Sequence, residues 1–186
     1  DPNDANLARH HPEDYEVGLV EVMKSALEEA KKTDGFTAQS VIGIGIDTTG
    51  STPLPIENDC RPIAYRKEFA ENPAAMAWLW KDHTSFAEAE EITAKAAEQR
   101  PEYLAKCGGT YSSEWFWAKA LHCYRTAPEV FDAAYTWMEV ADWVPALICG
   151  IKDSDAVKRG ICPAGHKAMF HPSWGGYPDA EFLGAV

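Results

Sequence analysis

The chain has 186 residues, 46% apolar and 25% charged, enough length and hydrocarbon for one large domain with its own core. A formal net charge of −12 argues against a phosphate-backbone binder, which needs a basic stripe, and against docking on anionic lipid. Neither nucleic acid nor membrane is therefore an expected partner, and no apolar run approaches the ~20 residues that cross a bilayer.

The first residues are polar and acidic, unlike a signal peptide. Residues 1–11 read as an exposed lead-in. Pro12 suits the first turn of a helix, where its missing N–H costs nothing. Val17, Val20, Met23, Leu27 and Ala30 then recur at helical spacing, and Gly35 follows Lys31 and Lys32 as a stop signal. An amphipathic helix over 12–32 is predicted. Val41-Ile42-Gly43-Ile44-Gly45-Ile46-Asp47 is short, β-branched and apolar on both faces, the pattern of a strand buried in a mostly parallel sheet. It runs into Asp47-Thr48-Thr49-Gly50-Ser51-Thr52, small and polar residues at the carboxyl end of that strand, where ligands collect in open α/β sheets.

Two short extended pieces follow at 53–56 and 61–65, with Asn58-Asp59 as the turn between them. Trp78 and Trp80 share one face if their segment is extended. Both suit a core, and a tryptophan beside Lys81 and Asp82 also suits a sugar, which stacks its C–H face on indole. A helix is predicted over 85–98, with Phe86, Ala89, Ile92 and Ala96 as its apolar stripe. Cys107-Gly108-Gly109-Thr110-Tyr111 reads as a loop, and Ser112 or Ser113 as the cap of a helix carrying Trp115, Phe116, Lys119, His122 and Cys123. A short helix over 128–133, a strand over 135–140 and a helix capped by Asp142 and ending near Gly150 complete this part.

The most informative stretch is Gly165-His166-Lys167-Ala168-Met169-Phe170-His171-Pro172-Ser173-Trp174-Gly175-Gly176-Tyr177. It has too many turn formers for a helix and too many aromatics for a linker, so it reads as a binding loop on a rigid scaffold. Lys167 offers three donors and no acceptor, which suits hydroxyls or phosphate oxygens. The five cysteines are scattered, odd in number and never paired as C-x-x-C, which points to a reducing cytosol rather than a disulfide framework. Cys149, Cys162, His166 and His171 lack the close cysteine pair of a small zinc finger, so no metal is assigned to them. No P-loop and no G-x-S-x-G nucleophile elbow occurs.

Four runs together resemble the FGGY carbohydrate kinases. They are Gly43-Ile44-Gly45-Ile46-Asp47-Thr48-Thr49-Gly50-Ser51-Thr52-Pro53, Trp78-Leu79-Trp80-Lys81-Asp82-His83-Thr84, the run from Gly108 to Lys119, and the run from Gly165 to Gly176. They stand in the family's order. The resemblance implies an α/β, ribonuclease H-like (actin-type ATPase) fold, of which residues 1–186 would be an incomplete first, sugar-binding domain. It implies transfer of the ATP γ-phosphoryl group to the terminal hydroxyl of L-ribulose in arabinose breakdown, in the cytoplasm. ATP and Mg²⁺ would sit mainly on a second domain absent from this chain, so none is expected on the chain itself. By residue match, Thr49 and Gly50 would contact the sugar, Trp80 would wall it, Lys167 would donate to its hydroxyls and Tyr111 would border it. Gly50 would leave room for a ketopentose. The general base is expected after Val186, so no catalytic residue is assigned and Asp47 does not inherit that role. Another pentulose, a sugar alcohol, or a non-catalytic sugar-binding module are the alternative readings. Exposed apolar surface on a partial domain also allows a homo-oligomer.

Overall fold

The computed structural model describes residues 3–186, apart from the side chain of His166. Strand β1 (Arg9–His10) leads into α1 (Pro12–Ala30), where Pro12 takes the first turn and the His11 ring accepts from the Glu13 amide. The predicted helix is thus present. Strands β2 (Pro53–Ile56) and β3 (Ala77–Trp78) follow, then α2 (Phe86–Gln99), α3 (Pro101–Ala105), α4 (Phe116–Thr126) and α5 (Pro128–Ala133). Strand β4 (Thr136–Glu139), α6 (Val140–Ile148) and α7 (Ala180–Leu183) close the order.

The described strands form two antiparallel pairs, β1 with β3 and β2 with β4. Leu54 faces Met138 and Ile56 faces Thr136 across the second pair. The flanking bonds Val140 N–H to Thr52 O (3.0 Å) and Tyr135 N–H to Ile56 O (2.8 Å) put the even-numbered residues of β2 on the ladder. Pro53 and Pro55 fall between them, so their missing N–H groups cost no ladder bond.

The predicted strand at 41–47 is not formed. These residues pair with nothing among the described ones, and Ile42 is fully exposed. A strand apolar on both faces needs neighbours on its edges and layers above and below. Here only Ile46 reaches the core, partly buried against the cluster of Leu54, Met138 and Trp143. The piece at 61–65 also differs from expectation. Ile63–Tyr65 is a 3-10 turn, preceded by a single bridge from Pro62 to Ile56.

The core has three parts. One lies between the β2–β4 pair and α6, around Leu54, Ile56, Met138 and Trp143. A second joins α2, α3, α4 and α7 through Ile92, Tyr103, Ala118 and Phe182, with Met169 among them. The third centres on Trp78, Val130 and Trp137. Trp78 is fixed there by its indole N–H on Ala74 O (2.9 Å) and by the Arg9 guanidinium 3.4 Å above its ring. Arg9 in turn pairs with buried Asp82, which also accepts from the Ala8 amide at 2.7 Å. These contacts tie the β1 segment to the Trp78–Asp82 run.

Helix α4 starts at Phe116 without a side-chain cap. Ser112 instead closes its own turn, with Oγ on the Glu114 amide (3.1 Å) and O on the Trp115 amide (3.1 Å). Asp142 does not cap α6 from outside. It sits in the first turn and accepts from the Gly160 amide at 2.7 Å. All five cysteines are free, with Cys60, Cys107 and Cys123 buried. No described helix is long and apolar enough to cross a membrane.

Candidate sugar site

The site is built around the turn at 49–52. Thr49 and Gly50 are exposed, whereas Ser51 and Thr52 are buried. Ser51 adopts φ +68, a left-handed conformation that L-residues other than Gly, Asn and Asp seldom take. Two buried side chains hold it there. The Lys119 ammonium donates to Ser51 O at 2.8 Å, and Glu139 Oε2 accepts from the Thr52 amide at 2.7 Å. Thr49 and Thr52 also bring their hydroxyls to 3.4 Å.

Lys119 is wholly buried on α4 and reaches a second segment. It donates to Leu79 O at 2.7 Å and lies 3.3 Å from Trp78 O. Trp80 follows directly and is 44% exposed, while Trp78 is in the core. The shared face predicted for the two tryptophans is therefore absent. β3 is only two residues long, and the period-2 alternation ends where Lys119 captures the Leu79 carbonyl.

Lys167 comes from a third segment. A π-helical turn over Pro163–Lys167 replaces the plain loop expected there, with the Ala168 amide on Pro163 O (3.2 Å) and the Phe170 amide on Ala164 O (2.8 Å). Such wide turns recur at functional sites. The lysine end lies over Gly50: a β-carbon built on Gly50 would stand 3.0 Å from Lys167 Cε and 3.6 Å from its Nζ. Tyr111 is 3% exposed, and its hydroxyl donates to Lys167 O (2.5 Å) and accepts from the Trp117 amide (3.0 Å). The Trp117 indole N–H adds a bond to Ala168 O at 2.8 Å.

All five residues singled out in the sequence are linked, four of them closely and Trp80 through Lys119. Gly50 touches Lys167, Thr49 adjoins Gly50, and Tyr111 sits behind Lys167. Trp80 connects to the turn through Leu79 and Lys119. Tyr111 differs from expectation in that its hydroxyl is spent on the backbone. An interior cavity of about 410 Å³ lies beside β4, lined by Trp117, Trp137, Glu139, Asp142, Arg159 and Tyr177 among others. Gly50, Trp80 and Lys167 stand outside that lining, so the candidate site is not this cavity.

Burial dominates the electrostatics. It lowers the Lys119 ammonium to about 7, and the Glu139 charge opposes that shift. Burial raises the Glu139 carboxyl to about 7 against the pull of the Thr52 amide, then of Lys119. Three carbonyls around Nζ need three donors, which only the ammonium form has. We therefore take Lys119 as charged in the folded protein. Glu139 Oε1 and Ser51 Oγ are buried with no hydrogen-bond partner. Lys119 and Glu139 were not read from the sequence as site residues. The available signal was a lysine on the apolar stripe of α4, beside Ala120 and Cys123.

No protein-family model matches the chain. The crystal structure of a xyloylose kinase from Brucella ovis shares the fold, with a TM-score of 0.56 over 77% of this chain and 26% of that one. At 15% identity this likeness concerns fold alone. The sequence comparisons narrow it. A ribulokinase of Vibrio parahaemolyticus is 47% identical over 180 residues, which is 96% of this chain. Ribulokinases of Shouchella clausii and Mycolicibacterium smegmatis are 36% and 35% identical over 179 residues. These relatives bear out the resemblance to carbohydrate kinases: nearly the whole chain carries ribulokinase-type sequence. The chain spans 31% of the length of the Vibrio relative and 30% of the other two.

Proposed function

We propose that this chain is part of the sugar-binding domain of an ATP-dependent kinase that phosphorylates L-ribulose at its terminal hydroxyl. The observation that carries the reading is the meeting of the Gly50 turn with the Lys167 side chain, two segments 117 positions apart in the sequence, with the turn tied through Lys119 to the segment that carries the exposed Trp80. A small residue, a cation with free donors and an indole face are what a polyol needs: space, hydrogen bonds and a stacking surface. Thr49 and Gly50 contact the ketose, Trp80 walls it and Lys167 donates to its hydroxyls. Tyr111 acts through Lys167, whose carbonyl it holds, instead of touching the sugar.

Phosphoryl transfer depends on positioning and on charge stabilisation. The residues described here serve the first. Among them no group of three or more His, Cys, Asp and Glu could hold a metal ion. The ribonuclease H-like architecture, the ATP site and the cytoplasmic setting belong to this proposal as well. In it, the unpaired run at 41–47 is a sheet strand whose partners come from outside the matched region.

The test is expression of the full reading frame that contains this chain, with an ATP-coupled assay over L-ribulose, other pentuloses and pentitols. L-ribulose is expected to give the highest kcat/KM, and Lys167→Ala to lower it through the sugar KM. Absence of ATP-dependent turnover on every ketose and polyol refutes the reading.

A further inference from the structure

We propose that Lys119 is a positioning residue for the sugar site: its buried ammonium sets the separation between the Gly50 turn and the Trp80 wall. The inference rests on the functional reading above and adds to it a residue outside the sugar's reach. Its basis is geometric. One nitrogen donates to Ser51 O at 2.8 Å and to Leu79 O at 2.7 Å, carbonyls that adjoin Gly50 and Trp80 respectively. The third proton faces Trp78 O at 3.3 Å. All three donors of the ammonium are used, and they bridge chain segments 28 positions apart.

Stability alone does not explain a cation at this point. Lys119 is fully buried, and among the described residues no carboxylate forms an ion pair with it. Burying an ammonium is expensive, and an apolar side chain of similar volume is often as stable or more so. What an apolar residue cannot do is fix three carbonyls at hydrogen-bond distance. The turn needs such fixing. Ser51 holds a left-handed backbone angle, and the other buried charged side chain that restrains the turn is Glu139 on the Thr52 amide. A turn released from Lys119 is free to relax, and Gly50 moves with it.

The same helix also serves the third segment. Trp117, two positions before Lys119, donates its indole N–H to Ala168 O and its amide to the Tyr111 hydroxyl that holds Lys167 O. The first turn of α4 therefore contacts the supports of Gly50, Trp80 and Lys167 alike. Lys119 differs from Trp117 in joining two of them through a single atom.

The experiment uses the full-length protein encoded by the frame that contains this chain. Lys119→Met removes the donors at similar volume, and Lys119→Gln keeps an amide with two of them. KM for L-ribulose, KM for ATP and kcat are measured for each, with circular dichroism as the check on folding. Lys119→Met is expected to raise the ketose KM by about tenfold or more, with the ATP KM within about twofold of wild type. Lys119→Gln is expected to recover part of that loss. An unmoved ketose KM in Lys119→Met overturns the proposal, as does a fall in kcat with both KM values unchanged. Loss of the fold in both variants also overturns it, because the lysine is then structural. A wild-type protein without ketose turnover removes the functional reading itself, a result distinct from an active enzyme with indifferent Lys119 variants.

Discussion

Replacing Tyr111 by Phe removes one oxygen and leaves two backbone groups without their partner. The hydroxyl now satisfies Lys167 O and the Trp117 amide, and the ring is packed in the core with Ala118, Met169 and Leu104. The ring stays in the variant, so no large cavity opens. Each lost bond removes about 1 kcal/mol net, and a buried group left bare costs about 1–3 kcal/mol, more than the bond itself. Water reaching the amide offsets part of this, so roughly 2–3 kcal/mol is expected in all. A loss of that size lowers the melting temperature by roughly 4–10 °C for a unit of this length. The functional effect has a different origin. Without the tyrosine anchor, the π-helical turn loses its hold on the Lys167 backbone, and the ammonium is no longer kept over Gly50. A rise in ketose KM of about tenfold, or ~1.4 kcal/mol, follows if this restraint is what orients the lysine. Thermal unfolding and steady-state kinetics of the full-length Tyr111→Phe protein read both. A melting temperature and ketose KM both within error of wild type would refute the reasoning, since the hydroxyl would then hold nothing of consequence.

Gly50→Ala places a methyl group 3.0 Å from Lys167 Cε, and the lysine end must give way by a few tenths of an ångström. The ketose KM is expected to rise by roughly three- to tenfold, and further in Gly50→Val; unchanged kinetics in both variants separates the turn from the ammonium. Glu139 gives a pH signature. Its folded carboxyl is raised from 4.5 to about 7, so its contribution to stability is complete below pH 4.5 and is lost as the pH climbs through 7. Denaturant unfolding of Glu139→Gln at a series of pH values is expected to lack the decline between 4.5 and 7 that the wild type shows relative to it. A wild-type-minus-variant difference that stays flat across that window removes the assignment.

Helices α1, α2 and α5 were legible because their signals are local. Pro12, Pro128 and the Ala89–Ile92–Ala96 stripe announce boundaries and faces within a few residues of where they act. The run at 41–47 carried an equally clear strand pattern, yet a ladder depends on partners that a pattern cannot name. The site was partly legible for a similar reason. Gly50, Trp80 and Lys167 are exposed or half-exposed groups whose chemistry shows in their type. What joins them was hidden, because Lys119 looks like any helix lysine and Glu139 like any strand carboxylate until their burial is known. Tyr111, matched by resemblance to a position bordering the sugar, is buried with its hydroxyl on Lys167 O, a contact that its residue type alone did not reveal.

The buried charges also explain why the exposed residues can be so few. A proposed site made of a glycine, an indole and one ammonium has little packing of its own, and its segments are turns or lie beside a two-residue strand. Segments of that kind fluctuate unless something over-determines them. Here the restraint comes from α4, whose Trp117 and Lys119 together donate to Ala168, Ser51 and Leu79 carbonyls. Helices are stiffer than loops, so a site whose loops all hang from one helix turn keeps its internal distances even when the loops themselves carry no core. The desolvation of Lys119 is thus a cost borne in the scaffold for order at the surface, and the polar groups left bare beside it, Glu139 Oε1 and Ser51 Oγ, lie at the turn where that order is imposed.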